Sequence, residues 1–176
     1  MNTKNRIGIL GVGAIGSVVS YELSKVENNK LLYYSRSPKS LIKIKFEKAE
    51  WILSIDCQIE IKEPVELDWL VICLKEYQYK NATAAFRNLI TEKTKVAIIR
   101  NGINLKESIL DYCSEENILE CMIDCPVQPK EDGFYRQFRL PTITLVDNDL
   151  ASSFSEILAL SDLSKISTRK TFSSII

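Results

Sequence analysis

The chain of 176 residues contains no histidine. Ser-His-Asp and Cys-His hydrolysis are therefore excluded, and any proton transfer must use Lys, Asp, Glu, Tyr, Cys or water. Net charge is lacking as well. With 23 Lys plus Arg against 23 Asp plus Glu the formal charge is zero, which gives no global reason to expect nucleic acid or an acidic membrane as partner. No apolar run is long enough to cross a bilayer, and Met1-Asn2-Thr3-Lys4-Asn5 leads into the first apolar segment without a signal-peptide pattern. The expected compartment is the cytoplasm. Cysteines are few, odd in number and without zinc-site spacing (Cys57, Cys73, Cys113, Cys121, Cys125), so reduced thiols and no metal are expected. Cys121 and Cys125 read as ordinary thiols on or after a buried strand rather than as a redox pair. Internal repeats and linkers rich in Gly, Ser or Pro are also missing, so residues 1–176 are expected to form one unit, able to bury about 70% of the surface its unfolded form exposes.

What the chain does have stands at its start. Arg6-Ile7-Gly8-Ile9-Leu10 is a β-branched apolar run, and Ile15, Val18, Val19, Leu23 and Val26 follow at helical spacing. Gly11-x-Gly13-x-x-Gly16 spans the junction. In such a strand-turn-helix the first glycine makes the turn, the second leaves room for a pyrophosphate, and the third lets the helix close on the strand. Unpaired N–H groups and the positive end of the helix dipole then face the phosphates. A dinucleotide site is the reading, and a purely structural glycine turn is the alternative.

Lys30-Leu31-Leu32-Tyr33-Tyr34 predicts the second strand. An NAD site of this kind carries Asp or Glu about 20 residues after the last glycine, whereas an Arg there accepts a 2′-phosphate. Here Ser35-Arg36-Ser37 follows, with no carboxylate between Glu27 and Glu47, which favours NADP over the plain alternative of a solvated loop arginine. Across residues 39–66, Lys39, Lys43, Lys45 and Lys48 interleave with Glu47, Glu50, Glu60, Glu63 and Glu66. They predict a solvated face, with small strands or a covering segment at Ile52–Ile55 and Gln58–Ile61.

Asp68 to Leu74 predicts a strand buried on both faces. A helix over Lys80 to Leu89, a strand over Lys95 to Ile99, a helix over Leu105 to Tyr112 and a strand over Ile118 to Ile123 complete an alternation. The fold class expected is α/β, a Rossmann-type doubly wound, mostly parallel sheet with helices on both faces. Ligands of such sheets collect at the carboxyl ends of the strands, where the Gly11 turn, Arg36, Lys75 and Asn101 should converge. Phe134 to Arg139 and Thr142 to Val146 predict added antiparallel strands near the C-terminus, Leu150 to Leu160 a helix, and Ile166 the start of a last strand.

Four segments in this order, Gly11-Val12-Gly13-Ala14-Ile15-Gly16, Ser35-Arg36, Leu74-Lys75-Glu76-Tyr77-Gln78 and Arg100-Asn101-Gly102-Ile103, resemble the N-terminal NADP-binding domain of ketopantoate reductases (2-dehydropantoate 2-reductases), and the likeness extends over nearly all of the chain. The resemblance implies that NADP(H) is held by Gly11, Val12, Gly13, Ala14, Ile15, Gly16, Ser35 and Arg36, with Leu74, Lys75, Gln78 and Asn101 beside it. Lys75 and Asn101 take catalytic places next to the substrate. It implies an NADP-dependent oxidoreductase acting on a CH–OH group, reducing ketopantoate to pantoate on the way to pantothenate and coenzyme A. A reductase of another branched 2-keto or 3-hydroxy acid, or a non-catalytic NADP-binding or sensing module, are the alternatives. Taken alone, Lys75 also reads as a strand-end lysine reaching water and Asn101-Gly102 as a turn pair.

The family's C-terminal helical domain, which supplies its principal acid lysine, is expected to lie outside this chain. A second domain, another chain or a homodimer partner would then complete the cleft. In the run from Ile166 to Ile176, Phe172 and Ser174 occupy the places of the family's Trp and acid Lys. Ile123-Asp124-Cys125-Pro126-Val127 lacks the small and hydroxyl residues usual at that point.

Overall fold

The computed structural model describes residues 4–158 and, as backbone, 166–169; the expectation for Phe172 and Ser174 lies outside the described residues. In chain order the first strand, β1 (Asn5–Leu10), leads through the glycine turn into helix α1 (Ala14–Ser24) and on to β2 (Asn29–Tyr34). A hairpin, β3 (Leu41–Phe46) with β4 (Ala49–Ser54), and the short β5 (Cys57–Gln58) come next. β6 (Trp69–Ile72) is followed by a 3₁₀ helix at Glu76–Asn81 and by α2 (Thr83–Leu89), then β7 (Lys95–Ile99), β8 (Ile118–Asp124), β9 (Val127–Pro129), β10 (Tyr135–Gln137), β11 (Thr142–Val146), α3 (Asp149–Ile157) and β12 (Ile166–Arg169).

Eight strands form the main sheet in the order β12-β11-β8-β7-β6-β1-β2-β5. From β8 through β5 the pairings are parallel, and β11 runs antiparallel to β8 with Thr142 opposite Asp124. The expected Rossmann-type order is therefore present. Side chains alternate across the sheet as strand geometry requires. Ile7 and Ile9 of β1 and Ala97 and Ile99 of β7 join Val18, Val19, Leu23, Ile143, Leu145 and Phe154 on one face. Leu10, Val96 and Ile98 join Leu70, Phe86, Leu89, Leu105 and Ile109 on the other. Both faces are thus covered, which is why β6 is apolar at every position.

One expectation is met in an unexpected place and one needs correcting. The antiparallel strand expected over Phe134 to Arg139 is β10, which lies in a separate four-stranded sheet of order β4-β3-β10-β9, antiparallel to β9 and parallel to β3. Helix α1 meets β3 and β9 of this small sheet as well as β1 and β2, so Ser17 and Ser20 are buried along with its apolar residues. Ser20 disposes of its hydroxyl by donating to the Gly16 carbonyl at 2.5 Å. The expected helix over Leu105 to Tyr112 is only a 3₁₀ turn at Leu105–Ser108. Asn104 enters it with φ +53, and the Ser108 hydroxyl donates to the Leu105 carbonyl at 2.7 Å, taking the acceptor that an α-helix would offer to the Ile109 N–H.

Candidate cofactor cleft

The three glycines of the turn meet three different surroundings. Gly11 has φ +98, and its N–H donates to the Tyr34 carbonyl at 2.9 Å, tying the end of β1 to the end of β2. A Cβ on Gly16 would stand 1.9 Å from the Gly11 carbonyl oxygen. Only hydrogen fits there, because that contact is the seat of α1 on the turn. A Cβ on Gly13 would meet nothing within 4 Å. Its space opens into a cleft of about 1150 Å³ along the carboxyl ends of the parallel strands.

That cleft brings together most of the residues the sequence singles out. Gly11, Val12, Gly13, Ala14 and Ile15 form one end of its floor, Ser35 and Arg36 follow at the end of β2, and Leu74, Lys75, Gln78 and Asn101 line the stretch beyond β6 and β7. Gly16 is not a lining residue; it works one layer down, against Gly11. Asp124, Cys125 and Pro126, from the segment that departs from the family pattern, also face the space.

At the far wall, Gln78 and Asn101 each spend one side-chain group on a structural bond. The Gln78 side-chain carbonyl accepts from the Lys75 N–H at 2.8 Å, while the Gln78 N–H donates to the Lys75 carbonyl at 2.8 Å. The spacing of these two residues is thus that of a helix start, with Gln78 reaching back to cap it. Lys75 stands at the first turn with its ammonium exposed and without a partner among the described residues. Asn101 uses its side-chain carbonyl to accept from the Ile123 N–H at 3.1 Å, which leaves its amide donors for the cleft edge. Next to it, Arg100 stacks its guanidinium 4.9 Å from the Tyr79 ring centroid. At the other end, the Ser35 hydroxyl donates to the Ser37 carbonyl at 2.5 Å and shapes the turn from which Arg36 projects into solvent.

The neutral net charge of the chain conceals a local imbalance. The two carboxylates of the lining are each paired with a cation outside it, Glu60 with Lys62 at 3.5 Å and Asp124 with Arg139 at 2.5 Å. The four lining cations, Arg36, Lys39, Lys75 and Arg100, have no ion-pair partner among the described residues. The space is therefore suited to a long anion with an apolar part, the latter meeting Ile59, Ile61 and Ala85.

Lys39 is the residue that sequence reasoning misplaced. Rather than lying on a solvated face, it is half-buried and donates to the Val12 carbonyl at 2.8 Å, close to Ser17 Oγ at 3.5 Å and Tyr135 Oη at 3.3 Å. Lys45 does match the expectation, pairing with Glu50 at 2.5 Å across the hairpin in solvent. Nothing in the local pattern separates the two lysines. Tyr135 reaches Lys39 only because β10 joins the small sheet.

The thiols around the cleft are held protonated. Burial pushes Cys73 up to about 12 and Cys125 up to about 11, the latter helped by the neighbouring Asp124 carboxylate. All five cysteines are free, and among the described residues no cluster of His, Cys, Asp or Glu could hold a metal and no helix is long and apolar enough to cross a membrane.

Comparison with known proteins agrees with this geometry. The family model "Ketopantoate reductase PanE/ApbA" matches residues 7–149. The 2-dehydropantoate 2-reductase of Mycobacterium tuberculosis is 23% identical over 156 residues, an alignment covering 86% of this chain and 52% of that protein. The chain thus spans about half the length of the curated relatives it matches. A dimeric ketopantoate reductase from Staphylococcus aureus superposes with a TM-score of 0.71 at 19% identity, over 94% of this chain and 60% of the other. D-mandelate dehydrogenase, solved with NADH and anilino(oxo)acetate, superposes with a TM-score of 0.80 at 18% identity, over 94% and 57%. Because the matched segment runs from the first strand, through the glycine turn and both walls of the cleft, to the start of α3, the chain belongs to the ketopantoate reductase PanE/ApbA family.

Proposed function

We propose that this chain is the cofactor-binding half of an NADP(H)-dependent reductase of a 2-keto acid, with 2-dehydropantoate as its substrate and pantoate as the product. The open space over Gly13, in a cleft whose four lining cations have no ion-pair partner among the described residues, is the observation that carries the reading. A nicotinamide dinucleotide fits the residues present. Its pyrophosphate would lie over Gly13 and the free N–H groups of the first turn of α1, and Arg36 would meet the adenosine end, where a 2′-phosphate distinguishes NADP from the NADH found in the mandelate dehydrogenase neighbour.

The bound cofactor would supply the hydride. The chain's own part is to hold and to stabilise. Reduction of a ketone builds negative charge on its oxygen, and a cation or an amide donor aimed there stabilises the transition state more than the ground state. Lys75 and the amide of Asn101 stand at adjacent strand ends on one edge of the cleft, the Lys75 backbone held by the Gln78 side chain and the Asn101 side chain held by the Ile123 N–H. The same absence of histidine that limits the acids of this chain makes a lysine the fitting donor. A second domain, another chain or a dimer partner would close the substrate side.

The test is direct. NADPH is titrated into the chain by fluorescence, and NADPH oxidation with 2-dehydropantoate is followed for wild type and Lys75→Ala. Saturable binding with turnover that falls at least tenfold in the variant supports the reading. Binding without any turnover, when the part that closes the substrate side is also supplied, favours a non-catalytic module, and no binding removes the proposal altogether.

A further inference from the structure

Lys39 lines the cleft with no carboxylate partner among the described residues, and the shortest of its hydrogen bonds goes to the glycine turn itself. The acceptor is the carbonyl of Val12, the residue between Gly11 and Gly13. A trans peptide carries its C=O and N–H on opposite sides. A donor that fixes the Val12 oxygen therefore also fixes the direction of the Gly13 N–H, which is turned away from Lys39 and has no backbone partner among the described residues. The lysine in turn is held from the small sheet, its ammonium 4.6 Å from the ring centroid of Tyr135 and 3.3 Å from that residue's hydroxyl.

We propose that Lys39, braced by Tyr135, is a positioning residue for the dinucleotide pyrophosphate: it sets the peptide plane of the glycine turn and adds a positive charge behind it. This rests on the cofactor reading given above. The physical case is that a free loop glycine must be ordered before its N–H can meet a phosphate, and that a residue which orders it beforehand lowers that cost. The pairing also gives the small sheet a purpose at the cofactor site. β3 starts just after Lys39 and β10 supplies Tyr135, so their parallel pairing sets the distance between the two residues.

The test uses the intact chain and calorimetric titration with NADPH, NADH, ADP and adenosine. For Lys39→Met, affinity for the three pyrophosphate-bearing ligands is expected to fall by a common factor of about ten, with adenosine binding and the thermal midpoint unchanged. Lys39→Arg should recover most of the loss, and Tyr135→Phe should show a smaller loss of the same pattern. A loss confined to NADPH would place the charge at the 2′-phosphate and overturn the proposal, as would unchanged binding of all four ligands. An equal loss for adenosine would reveal a general disruption of the cleft and overturn it too. If the wild-type chain itself fails to bind NADPH, the cofactor reading falls and this inference with it; wild-type binding that matches Lys39→Met removes this inference alone.

Discussion

Gly13 and Gly16 are three residues apart in one motif, yet the structure gives them opposite sensitivities, and alanine at each separates them. At Gly16 the new Cβ would lie 1.9 Å from the Gly11 carbonyl oxygen and 3.0 Å from the Gly11 carbonyl carbon. Ordinary contact begins at 3.4 Å, so α1 must lift from the turn by about 1.5 Å. Neither atom belongs to a flexible side chain, and the shift strains the bond from Gly11 N–H to the Tyr34 carbonyl. Alanine gains about 1 kcal/mol over glycine inside a helix. Backbone overpacking costs about 3 kcal/mol or more and therefore wins. The net loss of about 2 kcal/mol corresponds to a fall in Tm of roughly 4–8 °C for a chain of this size. At Gly13 the Cβ meets nothing and φ is −82, so alanine should leave stability within about 1 kcal/mol of wild type. Its methyl group would instead occupy the proposed pyrophosphate space, and NADPH affinity should fall more than tenfold. Thermal melting by circular dichroism and NADPH fluorescence titration on both variants give the two readouts. Gly16→Ala melting with wild type would show that the helix is not seated on the turn, and Gly13→Ala binding NADPH normally would show that the phosphates do not cross it.

Arg36→Ala should weaken NADPH by about 1.5–3 kcal/mol and leave NADH nearly unchanged, since the exposed guanidinium has no ion-pair partner among the described residues; equal losses in parallel titrations would dismiss it as the reader of the 2′-phosphate. Phe154 is fully buried and packs 4.9 Å from the Trp69 ring, so Phe154→Ala should cost about 3–5 kcal/mol in urea unfolding, and a loss under 1 kcal/mol would mean that α3 is not part of the core. Stability should also fall in alkali. Burial raises Cys73 to about 12 and Cys113 and Cys125 to about 11 from the ordinary 9.0, so between these values the unfolded chain releases protons that the folded chain keeps. The stabilisation is full below pH 9 and is lost as pH rises towards 11–12. The urea midpoint should therefore be lower at pH 10.5 than at pH 8, and the difference should shrink in Cys73→Ala.

Local pattern made part of this protein legible without a fold. Gly11, Gly13 and Gly16 between a β-branched run and an amphipathic helix specify a strand-turn-helix because each requirement is satisfied within a few residues. The strand at Lys95–Ile99 needs only a bounded run of apolar residues to be recognised, and the structure has it with the same limits. The alternation of such segments then allows few arrangements other than a parallel sheet with helices on both faces. What the pattern could not supply depends on partners far away in sequence. Phe134 to Arg139 alternates as a half-buried strand would, but its pairing with β3 joins segments far apart in the sequence, which local alternation cannot specify. Lys39 and Lys45 look alike in the sequence; one is drawn in by Val12 and Tyr135 and the other stays in water, a difference that exists only after a contact spanning 96 residues has formed. Charge behaves in the same way. Composition fixes the sum at zero, whereas the pairing of Glu60 and Asp124 with cations outside the cleft leaves its four lining cations without an ion-pair partner among the described residues, because Coulomb attraction depends on distance and distance is set by the tertiary fold.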